Sequence, residues 1–263
     1  MKLMAQNLSF SYDGKHVLWE NVSLSVATGE IFSILGANGA GKSTLLRCLI
    51  GFLPPRSGRV WIEDDDGTVY DAQENARAFS KRIGYVPQMQ NTSYSFTVRD
   101  YVVMGRAPYL RLFQKPGTAD YALTDEVLHE MNIYDIRERA INTLSGGQQR
   151  QAAIARAIVQ EPQLILMDEP TNHLDYGNQF RVVEMIRRLS ERGMAVLLTT
   201  HLPDQAIYLG GQAGIVTQNT LIVGNAHDVI TEDRLRDLYH MNVQMVYVPE
   251  AGRKICIPGE TGA

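Results

Sequence analysis

The sequence predicts an α/β fold in which a mostly parallel core sheet follows short antiparallel strands and carries a helical insertion. Three observations lead there. The largely apolar run Ile31 to Leu35 leads straight into glycines and then into a helical spacing at Leu45, Leu46, Leu49 and Ile50, the order strand, glycine loop, helix. Leu164 to Met167 and Ala195 to Thr199 read as buried strands, with a helix predicted over Gln179 to Arg192 between them, a βαβ unit. From about Thr97 to Gln160 helical patterning dominates, broken by a loop at Gln114 to Thr118.

The remaining elements follow in order. Lys2 to Leu8 and Val22 to Val26 read as strands, with turn signals at Asp13-Gly14 and Thr28-Gly29. Val60 to Ile62 and Ile83 to Val86 are further strands, and Asp66-Gly67 between them is a hairpin signal. Gly214 to Thr217 and Thr220 to Val223 predict a hairpin, and Thr231 is placed to cap a helix running to Tyr239. The tail, Asn242 to Ile257, reads as two strands around Glu250-Ala251-Gly252.

At 263 residues and 44% hydrophobic content, the chain has enough apolar material for a full core. A net charge of −4, with only the short acidic stretch Glu63 to Asp66 as a like-charge run, argues against nucleic acid as a partner. Cys48 and Cys256 fit no metal spacing and no disulfide framework, which suits a reducing cytoplasm. The first residues lack the apolar stretch of a signal peptide, and no run approaches the roughly 18 apolar residues of a membrane span. Any membrane role is therefore expected to come through a partner.

Three segments carry chemistry. Gly36-Ala37-Asn38-Gly39-Ala40-Gly41-Lys42-Ser43 matches the phosphate-loop pattern, in which glycines let backbone N–H groups converge on phosphate oxygens at a helix start. Lys42 is expected on the β and γ phosphates and the Ser43 hydroxyl on Mg²⁺. Leu164 to Met167 ends in Asp168-Glu169, and neighbours on a strand point to opposite sides. Asp168 can therefore serve a metal while Glu169 polarises water at the γ-phosphate. Leu144-Ser145-Gly146-Gly147-Gln148 precedes a helix, with Ser145 as its cap and two glycines expected to leave the helix start bare. One ATP does not need two anion-binding surfaces from one chain, so each is expected to serve a different subunit.

On these motifs the chain resembles an ABC ATPase subunit across nearly its whole length. Residues 36–43 match the family's Walker A loop, Gln88 its Q-loop, and 144–148 its signature. Asp168 and Glu169 match Walker B and the catalytic glutamate, Asp175 the D-loop, and His201 the switch histidine. The resemblance implies a phosphate-loop NTPase cassette with an N-terminal antiparallel β subdomain and a helical subdomain, about residues 89–160, bearing the signature. Residues 1–240 would form this one nucleotide-binding domain and 241–263 a short extension.

It also implies a head-to-tail dimer binding ATP and Mg²⁺. Gly36, Asn38, Gly39, Gly41, Lys42, Ser43 and Thr44 of one subunit would face Ser145, Gly146, Gly147, Gln148 and Asp175 of the other. Glu169, His201 and Gln88 are the implied catalytic residues; Ser43, Gln88 and Asp168 would hold the metal, and Tyr12 matches the aromatic that stacks on adenine. His16, His129, His227 and His240 are expected to be structural, and His173 to lie towards the partner subunit. Tyr94, Phe96, Val98, Tyr101 and Met104 have two readings: packing of the helical subdomain, or a groove for a cytoplasmic helix of a membrane subunit.

Val102 to Arg106 with Pro108-Tyr109, the Pro116 loop, and Thr200 to Ala206 resemble the ATPases of importers for iron chelates, haem, cobalamin and related metal-containing cargo; molybdate importers share versions of them. Permease subunits, and an external binding protein indirectly, are the implied partners, at the cytoplasmic face of the membrane. Exporters and nucleic-acid-associated ABC proteins are the rival classes. The acidic turn at 63–66 and the tail after 242 are expected to be solvated surface.

Overall fold

The computed structural model describes residues 1–88, 95–217 and 219–259. Its core is a six-stranded sheet in the order β10-β9-β3-β8-β7-β6. These strands are β3 (Ile31–Leu35), β6 (Ile83–Val86), β7 (Leu164–Met167), β8 (Ala195–Thr200), β9 (Gln212–Thr217) and β10 (Thr220–Asn225). The first five run parallel, and only β10 is antiparallel, through the hairpin with β9. A second, antiparallel sheet has the order β2-β1-β4-β5, from β1 (Lys2–Phe10), β2 (Trp19–Ala27), β4 (Ser57–Glu63) and β5 (Val69–Asp71). The α/β class and the antiparallel start are as the sequence predicted.

The mostly apolar strands β7 and β8 have a simple cause: both faces of the core sheet are covered. Leu164, Leu166, Ala195 and Leu197 face a core shared with the antiparallel sheet and α1 (Lys42–Leu49). Ile165, Met167, Val196 and Leu198 face the opposite core, built with α3 (Val98–Val103), α4 (Thr118–Glu130), α5 (Gly146–Ile158) and α6 (Tyr176–Glu191). Strand alternation thus sends successive side chains into two different interiors. Each fully buried Phe or Leu there contributes about 1.5–3 kcal/mol relative to exposure. A third cluster, including Ile215, Ile207, Leu235 and Val243, lies under α7 (Pro203–Leu209), α8 (Ala226–Val229) and α9 (Glu232–Tyr239).

Several expectations are corrected. The helix expected from Gln179 begins at Tyr176, because the Asp175 carboxylate accepts the Asn178 N–H and caps it three residues earlier. The short helices α2 (Ala76–Ser80), α7 and α8, and the strand β5, had no reading at all. The acidic turn is more than solvated surface. Asp64 takes the Arg82 guanidinium at 2.8 Å, and Arg82 lies over the Tyr70 ring at 3.5 Å, tying the antiparallel sheet to the start of β6.

The tail forms the expected pair, β11 (Val243–Val248) and β12 (Arg253–Pro258), but it is docked instead of free. The Cys256 N–H donates to Asp204 Oδ1 at 2.8 Å, and Arg253 donates to the Asp204 carbonyl and covers the Tyr208 ring. In the stretch after Gln88, Val98 is buried, Tyr101 packs on the same core, and Phe96 and Met104 are exposed. Tyr94 lies outside the described residues.

Candidate active site

Four parallel strands end at one edge of the core sheet, and each hands the chain to part of the site. β3 leads into the glycine loop, β6 into Pro87 and Gln88, β7 into Asp168 and Glu169, and β8 into His201. This is the carboxyl edge, where ligands of such sheets bind.

In the loop, Gly36 is buried, Asn38 and Gly39 form an exposed crown, and the Ala40 N–H closes the turn on the Ala37 carbonyl at 3.2 Å. Gly41 has φ of 89°, and a Cβ there would meet the Leu18 side chain at 2.7 Å, so only glycine fits. No side chain caps α1, which leaves its first N–H groups and the positive helix end for an anion. The buried Lys42 Nζ donates to the Gly36 and Ala37 carbonyls at 2.9 and 3.1 Å and lies 3.4 Å from Glu169 Oε1. Ser43 follows, half-buried. Thr44 Oγ1 is 2.9 Å from the Tyr12 hydroxyl, and the Tyr12 ring, braced edge-on by Phe10, is 68% exposed.

Glu169 gathers the rest. Asn172 Nδ2 donates to its Oε2 at 2.8 Å, Gln88 Nε2 approaches the same oxygen at 3.5 Å, and His201 Nδ1 is 3.8 Å away. The backbone of Glu169 has φ of 42°, a left-handed conformation that costs of order 1–3 kcal/mol in a non-glycine residue. Surrounding hydrogen bonds hold it there. Its N–H donates to Thr199 Oγ1 at 2.9 Å, and Thr199 Oγ1 in turn donates to the buried Asp168 Oδ1 at 2.8 Å. One hydroxyl therefore fixes both members of the carboxylate pair.

Sequence reasoning missed Thr199, Asn172 and Arg150 as members of this site. Arg150 is buried; it donates from Nη1 to the Pro87 carbonyl at 3.0 Å and from Nη2 to the Glu169 carbonyl at 3.4 Å. Burial pushes its guanidinium down to about 10.

The signature segment stands apart. Ser145 Oγ accepts the Gln148 N–H at 3.3 Å, and Gln148 Oε1 accepts the Ser145 N–H at 3.2 Å, a reciprocal capping box. Of the two glycines expected to leave the helix start bare, only Gly146 is exposed. Gly147 is buried where a Cβ would meet the Asn178 amide group at 2.7 Å, and both oxygens of Asp175 hold that same Asn178. No hydrogen bond or ion pair among the described residues joins 144–148 to 36–44. The structure thus brings Gly36, Lys42, Ser43, Gln88, Asp168, Glu169 and His201 to one edge, sets Tyr12 beside the loop, and leaves Ser145, Gly146, Gln148 and Asp175 as a second surface with Gly147 buried behind it.

The side-chain oxygens expected to serve the metal at this edge are a hydroxyl (Ser43), a carboxylate (Asp168) and an amide (Gln88), with the Glu169 carboxylate beside them. No group of three or more His, Cys, Asp or Glu residues suited to a metal occurs among the described residues. That hard, sparse donor set fits Mg²⁺, which keeps waters and takes one or two carboxylates plus phosphate oxygens, and does not fit a caged transition metal.

A glycine loop at a helix start with a carboxylate pair and a histidine at the same sheet edge defines a phosphate-loop nucleoside triphosphatase. The ABC transporter family model matches residues 19–172, and the chain belongs to that family of ATP-binding cassettes, which hydrolyse ATP to drive transport. The molybdate import ATP-binding protein MolC of Haemophilus influenzae is 33% identical over 91% of this chain and 88% of its own length. The ferric enterobactin transport ATP-binding protein FepC of Escherichia coli is 29% identical over 98% and 94%. Among solved structures, a putative metal-chelate type ABC transporter in an inward-facing conformation matches with a TM-score of 0.85 and 31% identity, covering 98% of this chain and 97% of that one.

Proposed function

We propose that this chain is the ATP-hydrolysing subunit of a binding-protein-dependent importer for an iron chelate or related metal-containing cargo. It would work as a head-to-tail dimer beneath permease subunits at the cytoplasmic face of the membrane. The observation that carries this reading is the match to a metal-chelate type transporter over 98% of the chain, docked tail included. No helix among the described residues is long and apolar enough to cross a membrane, in keeping with attachment through a partner.

In the proposed mechanism, Tyr12 stacks the base while the loop N–H groups and Lys42 hold the phosphates. Magnesium, when bound, supplies neutralisation of the charge that develops on the phosphate oxygens; Ser43, Asp168 and Gln88 would hold it. Glu169 orients the attacking water and accepts its proton, a role worth roughly 10²–10⁴ in rate. His201 stands beside the same carboxylate oxygen that Asn172 and Gln88 approach, within reach of the γ-phosphate side. The two surfaces of one chain, 36–44 and 145–148, support a site completed by a second copy.

The test is ATP-driven transport in proteoliposomes containing this subunit with its copurified permease. Inward accumulation of a ferric chelate supports the proposal. Accumulation of molybdate, which the MolC resemblance favours as second reading, would reassign the cargo. Outward transport would overturn the importer assignment.

A further inference from the structure

Arg150 projects from the second turn of the signature helix into the interior and is the one buried arginine among the described residues. Its guanidinium forms no ion pair there. It donates instead to two backbone carbonyls, those of Pro87 and Glu169, while its Nε has no partner. A charged side chain kept in the interior without a carboxylate in direct contact is costly, so packing alone does not account for it.

The two carbonyls it holds are informative. Pro87 immediately precedes Gln88, and Glu169 is the left-handed residue whose carboxylate faces Lys42, Gln88, Asn172 and His201. The Glu169 carbonyl also accepts the Asn172 N–H at 3.1 Å, so Arg150 and Asn172 together fix the peptide that sets the carboxylate's direction.

We propose that Arg150 is a positioning residue for hydrolysis, a side chain of the signature helix that locks the Q-loop entrance and the Glu169 backbone of its own subunit in register. The inference rests on the proposed catalytic role of Glu169. Through this link, a movement of the signature helix when it meets nucleotide in the opposite site is transmitted to the subunit's own water-orienting carboxylate.

The experiment compares ATP turnover and ATP binding of the full-length chain with Arg150→Met, Arg150→Lys and Glu169→Gln. Met keeps the volume and removes the donors; Lys keeps the charge and can reach one carbonyl. The expected result is that Arg150→Met folds with wild-type thermal stability or better, binds ATP within twofold, and loses at least tenfold in kcat with KM unchanged. Arg150→Lys should recover part of that loss, and in the Glu169→Gln background Arg150→Met should cause no further loss. Normal kcat in Arg150→Met beside an inactive Glu169→Gln would overturn the proposal while leaving the catalytic reading of Glu169 intact. Normal turnover in Glu169→Gln would remove both. If Arg150→Met does not fold, Arg150→Lys decides: a fall in kcat at unchanged KM supports the role, and wild-type kinetics overturns it.

Discussion

Asn172 holds Glu169. Its amide donates to Glu169 Oε2 at 2.8 Å across only three residues of chain, so the loop after β7 orients the carboxylate that the strand delivers. A hydrogen bond to a charged group is worth about 1.5–3 kcal/mol, and its loss in the transition state lowers kcat by roughly tenfold or more. Asn172→Ala should show that fall at nearly constant KM in steady-state ATPase assays. An unchanged kcat would remove Asn172 from the mechanism.

Thr199 supports two residues with one hydroxyl, accepting from the Glu169 N–H and donating to Asp168. Thr199→Val keeps the shape and strands both buried partners. The loss should be about 2–3 kcal/mol, which for a chain of this size lowers Tm by roughly 5–10 °C. Thr199→Ser, which restores the hydroxyl, should recover most of it, and calorimetry of the two variants separates the hydrogen bonds from packing.

Ser145→Arg places a large cation at the capped start of α5, on the surface that carries no link to the phosphate loop of its own chain. Nucleotide binding to the monomer should stay within about threefold of normal, since surface changes away from a site rarely exceed ~0.5 kcal/mol. Turnover should fall to background, and sedimentation should show no dimer with ATP. Surviving turnover would mean that the site is complete within one chain.

Cys48 lies in the last turn of α1 on its buried face, and burial pushes its thiol up to about 12. Burial and the neighbouring Asp204 push Cys256, in the docked tail, to about 12 as well. A raised value means less thiolate, the reactive form, at any pH below it. Neither thiol should react with iodoacetamide in the folded protein at pH 8, and both should react in denaturant. Rapid labelling of Cys256 alone would show that the tail opens readily.

Much of this was legible in the sequence because it is local. The glycine loop, the paired carboxylates at a strand end and the capped helix at Ser145 are each written within eight consecutive residues. Two-sided burial of β7 and β8 was equally readable from the apolar runs Leu164–Met167 and Ala195–Leu198. Thr199, Arg150 and Asn172 were not, because their function lies in which atom they touch, and a side chain that reaches a carbonyl across the fold leaves no periodic trace. Asp175 shows the intermediate case: assigned to the D-loop, it was not also read as the cap of α6, which is why that helix was expected to start late. Asp64 looked like one of several solvated acids until its distant partner, Arg82, was placed beside it.

Tyr12 offers its ring face to the solvent beside the phosphate loop, and its only polar atom is already engaged by Thr44 at 2.9 Å. A π-face accepts any purine, and telling one base from another requires donors and acceptors along the base edge. A base stacked on this ring, as proposed, would therefore be gripped without being read. Under that proposal any preference of this motor for adenine over guanine has to come from other contacts and from the relative abundance of the triphosphates around it.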